Sequence, residues 1–232
     1  MKTASVLLIS MLLVPACSKK QEPPKPEEKP TAAEPTAPKE DPKPAPKEEP
    51  KPTMPAGVTC IEDTNKKIEG GKLVQCRLQQ DYTSGKITCG KEYMAFFFAD
   101  GSLKGCYVSQ PTEVDGWSCR ESLSLFPGGK FRRCRLAGDK EEAGVQLKSG
   151  DWITVYQSGA LRRVENETAR KMGAYMCKGS VNLFHENGKL KRCEVAKPTR
   201  VGKKRLKVGE AACLDADGKP TECGSVLSDI SN

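Results

Sequence analysis

One histidine, His185, and an aromatic content of 6% in 232 residues leave little material for histidine chemistry or for a large aromatic core. A two-histidine metal centre is excluded, and any Ser-His-Asp or Cys-His arrangement would have to use that single imidazole. The cysteines never approach one another closely in sequence: the shortest spacing is the ten residues from Cys213 to Cys223. Zinc sites favour Cys-x₂₋₄-Cys clusters, so zinc is not expected, and no Cys-x-x-Cys is present for thioredoxin-like redox work. No glycine motif that cradles phosphate occurs. The apolar run near the start, Ser5 to Ala16, is too short to cross a bilayer as a helix. A polytopic membrane protein, a large α/β enzyme and a histidine-based metalloenzyme are poor fits to these shortages.

What is present is unevenly placed. Lys2, the apolar run, the small residue Ala16 and then Cys17 describe a secretory signal peptide over residues 1–16. The cysteine directly after it resembles a bacterial lipobox. That resemblance implies diacylglyceryl and acyl chains on Cys17, several of which anchor where one binds only marginally. With Ser18 after the anchor, the expected address is the outer membrane, facing the periplasm or the cell surface.

Residues 17–57 follow as a tether. Twelve of the 17 prolines lie between Pro23 and Pro55, with eight lysines, eight acidic residues and no aromatic from Ser18 to Gly57. Such a segment cannot bury enough to offset its ordering entropy. At ~3.1 Å per residue, a polyproline II spacer of this length reaches roughly 120 Å.

From residue 58 to 224 one column repeats, a glycine with cysteine five positions later: Gly71, Gly101, Gly129, Gly188 and Gly218. Gly159 has the pattern with Val164 in the cysteine's place. The intervals of 28 to 30 residues define six copies of about 29. Alternating apolar runs flank Asp-Gly, Gly-Gly, Ser-Gly or Asn-Gly, the mark of a β-hairpin. The expected fold is all-β, a meander of six hairpin repeats in which neighbours supply the core. The polar stretches between hairpins read as loops, and residues 225–232 as a tail.

Phe98 to Lys104, Phe126 to Arg132, Tyr156 to Arg162 and Phe184 to Lys191 resemble divergent MORN-type repeats of the form Y-x-x-N-G-x-L-K. In that alignment His185 is an insertion within a longer turn and reads as a polar loop residue. The resemblance spans about 165 residues and implies no single function.

Ten cysteines after Cys17 in an exported chain imply a disulfide framework. The fourth copy has Lys148 and Val164 where its neighbours have cysteines, and joint loss points to pairing within a copy. The expected bridges are Cys60 with Cys76, Cys89 with Cys106, Cys119 with Cys134, Cys177 with Cys193, and Cys213 with Cys223.

Three residues after the turn glycine stand Lys104, Arg132, Arg162 and Lys191, and Arg200 to Lys207 adds a basic cluster. Residues 58–232 carry 29 basic against 22 acidic side chains, so this part is cationic as a whole. In register these side chains form a ladder suited to an anionic envelope polymer or an acidic protein. The competing reading is a solvated strand face that discourages edge pairing. Nucleic acid is not expected, because no aromatic platform interleaves the basic residues. The sequence therefore reads as a non-catalytic binding or scaffolding module without cofactor. An inhibitor or immunity-type protein, or a hydrolase with an unrecognised site, are the alternatives.

Overall fold

In the computed structural model, residues 53–63 and 65–224 are described. The signal segment 1–16, lipidation at Cys17, nearly all of the tether and the tail 225–232 lie outside them. No helix occurs among the described residues, and one antiparallel sheet organises the chain.

Five hairpins follow one another across that sheet: Lys67–Glu69 with Lys72–Arg77, Met94–Phe97 with Leu103–Tyr107, Trp117–Leu125 with Phe131–Leu136, Trp152–Val155 with Leu161–Glu165, and Val181–Phe184 with Leu190–Glu194. Ala211–Cys213 is the first strand of a sixth. Each strand pairs with its neighbours in chain order, so the fold is the meander that the glycine column predicts. The turns need that column. Gly101 and Gly159 have φ of 84° and 92°, a region open to glycine without steric cost.

Thr53 joins the sheet ahead of the first hairpin, its N–H donating to the Gly71 carbonyl at 2.8 Å. The chain thus engages the sheet within the span read as tether, and Met54 packs against the core.

The stretches between hairpins are not plain loops. They form a second set of short hairpins: Tyr82–Ser84 with Ile87–Cys89, Thr112–Val114 with the start of Trp117–Leu125, Lys140–Glu142 with Val145–Leu147, Arg170–Met172 with Tyr175–Cys177, and Thr199–Val201 with Lys204–Leu206. Their tips are polar, but Ile87, Trp117, Val145, Met172 and Leu206 enter the same core as the large sheet. Asp115-Gly116 and Ala143-Gly144 turn with positive φ at both residues, the type I′ geometry that suits the twist of two-residue hairpins. The Arg200 to Lys207 cluster belongs to this second layer.

One face of the large sheet meets these short hairpins. Successive strands present Cys106, Leu123, Cys134, Ile153, Val164 and Asn182 to it in register, and every one is buried. All five expected disulfides are present. In the second, third and fifth copies they tie the last residue of a short hairpin to this inner row. The fourth copy corrects one detail of the alignment. Leu147, not Lys148, stands where Cys89 and Cys177 stand, because Lys140 pairs with Leu147 as Tyr82 pairs with Cys89. Leu147 and Val164 are both 0% exposed, so two aliphatic side chains fill what a disulfide fills elsewhere.

Candidate functional site

The second face of the sheet is open to solvent, and its chemistry follows from a bulge repeated in every central hairpin. Phe97 pairs with Leu103 while Phe96 pairs with Gly105, which leaves Lys104 without a partner residue. The same shift leaves Arg132, Arg162 and Lys191 on bulges. A bulge adds one residue to one strand and re-aims its side chain. Arg132 and Arg133 lie between buried Phe131 and Cys134, and Arg162 and Arg163 between buried Leu161 and Val164. Both members of each pair therefore emerge on the open side.

The four predicted ladder residues do occupy equivalent positions. They fall on every second strand rather than on neighbouring ones, so at ~4.8 Å per strand their backbones repeat at roughly 9.6 Å. Three rest on an aromatic ring of their own turn: Lys104 Nζ lies 5.8 Å from the Phe98 centroid, and Arg132 and Arg162 each 5.7 Å from Phe126 and Tyr156. Cation–π contacts at such exposed sites contribute ~0.5–1 kcal/mol.

This column places His185 differently from the sequence alignment. The turn closes through His185 N–H to Lys189 O and Gly188 N–H to His185 O, the bonds that Phe98, Phe126 and Tyr156 make in their own turns. His185 is no insertion; it holds the ring position of its turn, and Phe184 is a buried strand residue. Its Nε2 lies 2.8 Å from the Leu214 carbonyl. Tyr156 Oη donates to the Phe184 carbonyl at the same distance. Each side chain links its turn to the next copy.

Beside the ladder runs a cross-strand row of Phe96, Gly105, Ser124, Arg133, Thr154 and Arg163, continuing through Leu183 to Arg192. Glu165 Oε1 is shared by Arg133 at 3.0 Å and Arg163 at 3.1 Å, one carboxylate between two guanidiniums. Arg133 also lies over Trp152, 4.7 Å from its centroid. Toward the first copies the face is aromatic. Tyr93 and Tyr107 stack at 5.3 Å and, with Phe96, are exposed. A side chain at Gly105 would bring Cβ to 2.6 Å from the Leu123 carbonyl oxygen, so the arginine row stops there for lack of room.

Sequence reasoning missed a recess on this face, lined by Arg120, Arg135, Gly150, Asp151, Trp152 and Arg170. Arg120 and Arg135 are direct cross-strand partners, an arrangement of like charges that costs stability unless offset. Glu121 offsets it: its Oε2 accepts from Arg135 at 2.8 Å, and that bond raises the Arg135 pKa above its ordinary value. No spacing signal marks these residues, because only strand register brings them together. Among the described residues no cluster of His, Cys, Asp and Glu has the make-up of a metal site, and no helix is long and apolar enough to cross a membrane.

No protein-family model, curated protein or solved structure matches the chain.

Proposed function

We propose that this chain is an outer-membrane lipoprotein, anchored through Cys17, whose repeat domain is a non-catalytic binding module for an anionic envelope polymer such as lipopolysaccharide. The observation that carries the reading is the open sheet face. Lys104, Arg132, Arg162 and Lys191 recur there at one position of successive hairpins, beside Arg133, Arg163 and Arg192. A polymer with regularly spaced negative groups matches a cationic column with a regular repeat. The five disulfides favour an oxidising compartment, which agrees with an exported address. The MORN-like character of the units belongs to the same proposal and rests on their repeated glycine, aromatic and basic positions.

The test has two arms on the full-length protein. In cells, Cys17→Ser moves the protein from the membrane fraction to the soluble one; a variant that still fractionates with membranes contradicts the anchor. In vitro, the wild type co-sediments with lipopolysaccharide aggregates at low salt and not with neutral dextran beads. Equal retention by both, or by neither, contradicts the polymer reading. Saturable capture of one discrete protein without polymer binding makes it an inhibitor or immunity-type protein instead.

A further inference from the structure

Three of the four buried polar side chains among the described residues, Asp151, Asn166 and Asn182, fall in the fourth copy and the start of the fifth. Asp151 and Asn166 line the recess, whose volume of about 400 Å³ falls within the ~300–1,000 Å³ usual for small-molecule sites, and Asn182, on the inner face, donates its Nδ2 to Asn166 Oδ1 at 2.7 Å. Accounting for its donors singles out one residue. Arg170 is held bidentate by Asp151, Nη1 to Oδ2 and Nη2 to Oδ1. Arg135 gives Nε to the Gly150 carbonyl at 3.1 Å and Nη1 to Glu121. Lys148 Nζ pairs with Asp139 at 2.6 Å.

Arg120 is the exception. Among the recess arginines only its Nε is buried without a hydrogen-bond partner, a condition that Arg133 and Arg163 share outside the recess; the side chain as a whole is 39% exposed, and its Glu121 carboxylate contact is 3.9 Å, beyond a hydrogen bond. Buried donors of charged groups are costly to leave unmet. Gly150 completes the seat: it has φ of +94°, and a Cβ there would stand 3.2 Å from Arg120 Nη2. The guanidinium is accommodated against bare backbone, and Trp152 lines the same recess.

We propose that this recess binds a single acidic sugar unit, its carboxylate or phosphate taken by the Arg120 guanidinium and its ring seated toward Trp152. A planar guanidinium fork matches either anion, and an indole with convergent polar groups suits a ring that carries hydroxyls. This inference deepens the proposed function and rests on it, naming the unit of polymer that the face holds.

The chain has two tryptophans, Trp117 and Trp152. Trp117 is 3% exposed and serves as an internal reference for a titration of the two indole N–H resonances in the full-length oxidised protein. Glucuronate or glucose 6-phosphate is expected to shift the Trp152 signal saturably, glucose to leave it in place, and Arg120→Ala to weaken binding at least about tenfold. Which acid binds separates carboxylate from phosphate recognition. Arg120→Lys, with the Trp117 signal unmoved, controls for folding and is expected to weaken binding too, because a point charge cannot form the fork. An unmoved Trp152 signal with both acids overturns the proposal. So does undiminished binding by the Arg120 variants, or an equal shift with sulfate, which would mean an adventitious ion only. Lipopolysaccharide co-sedimentation on the same preparation separates the two claims: polymer bound without a Trp152 shift removes the recess alone, and acidic sugar bound without polymer removes the polymer reading alone.

Discussion

Tyr156 and His185 hold the same place in successive hairpins, and each meets the backbone carbonyl of the next copy at 2.8 Å. A phenol and an imidazole are different chemistry but the same device, a flat side chain that covers its turn and ends in a donor. The carbonyl of Leu214 can only accept, so the His185 tautomer that bonds it carries its proton on Nε2. His185→Tyr is therefore expected to preserve stability, whereas His185→Phe and Tyr156→Phe each cost ~1 kcal/mol, the usual worth of one hydrogen bond. Urea unfolding of the three variants checks this.

The missing disulfide can be restored. Leu147 and Val164 are 17 residues apart, the separation of Cys89 and Cys106, and occupy the equivalent positions. Leu147→Cys with Val164→Cys is expected to close a sixth bridge, seen as a loss of two mass units on oxidation and as a higher melting temperature. The chain-entropy estimate for such a loop is up to ~3 kcal/mol. Lys148→Cys with Val164→Cys, the pair that the sequence alignment suggests, is expected to remain reduced or to destabilise the fold.

Acid lability follows from the turns. Ser102 holds the Asp100 carboxyl below its ordinary value, chiefly through its side-chain hydroxyl, and Lys219 does so for Asp215, chiefly through its backbone N–H. Asp139 is lowered chiefly by Lys148. A carboxyl whose folded pKa is depressed stabilises the fold above the unfolded value and loses that contribution as pH falls through the folded one. The melting temperature is thus expected to be level above about pH 5 and to fall as pH drops through the ordinary aspartate value of 3.8 and below. Asp100→Asn and Asp215→Asn are expected to flatten that fall.

How much of this was legible in the sequence depended on whether one position decided it. The hairpins and the disulfides were, because a turn glycine with positive φ has few substitutes and a cysteine pair is lost jointly. The short hairpins were hidden: their polar tips resemble loops, and only two residues of each, such as Val145 and Leu147, are buried in the core. Asp115-Gly116 was a usable signal, since that dipeptide favours a type I′ turn. His185 was misplaced by matching Phe184 to the ring column; counting three back from Gly188, as from Gly101 to Phe98, puts it right. The recess was beyond reach, because Arg120, Arg135 and Arg170 meet only through register and the folding back of short hairpins.

The most direct measurement is the affinity of the full-length protein for lipopolysaccharide across ionic strength, compared with a variant carrying Lys104→Glu, Arg132→Glu, Arg162→Glu and Lys191→Glu. A binding face built from these cations predicts affinity that weakens steadily with salt, since exposed charges are screened within about 10 Å at 0.1 M. It also predicts at least about a tenfold loss in the variant at low salt, with an unchanged disulfide pattern. Equal affinity of the two proteins at every salt concentration would contradict the account and leave the ladder a solvated face.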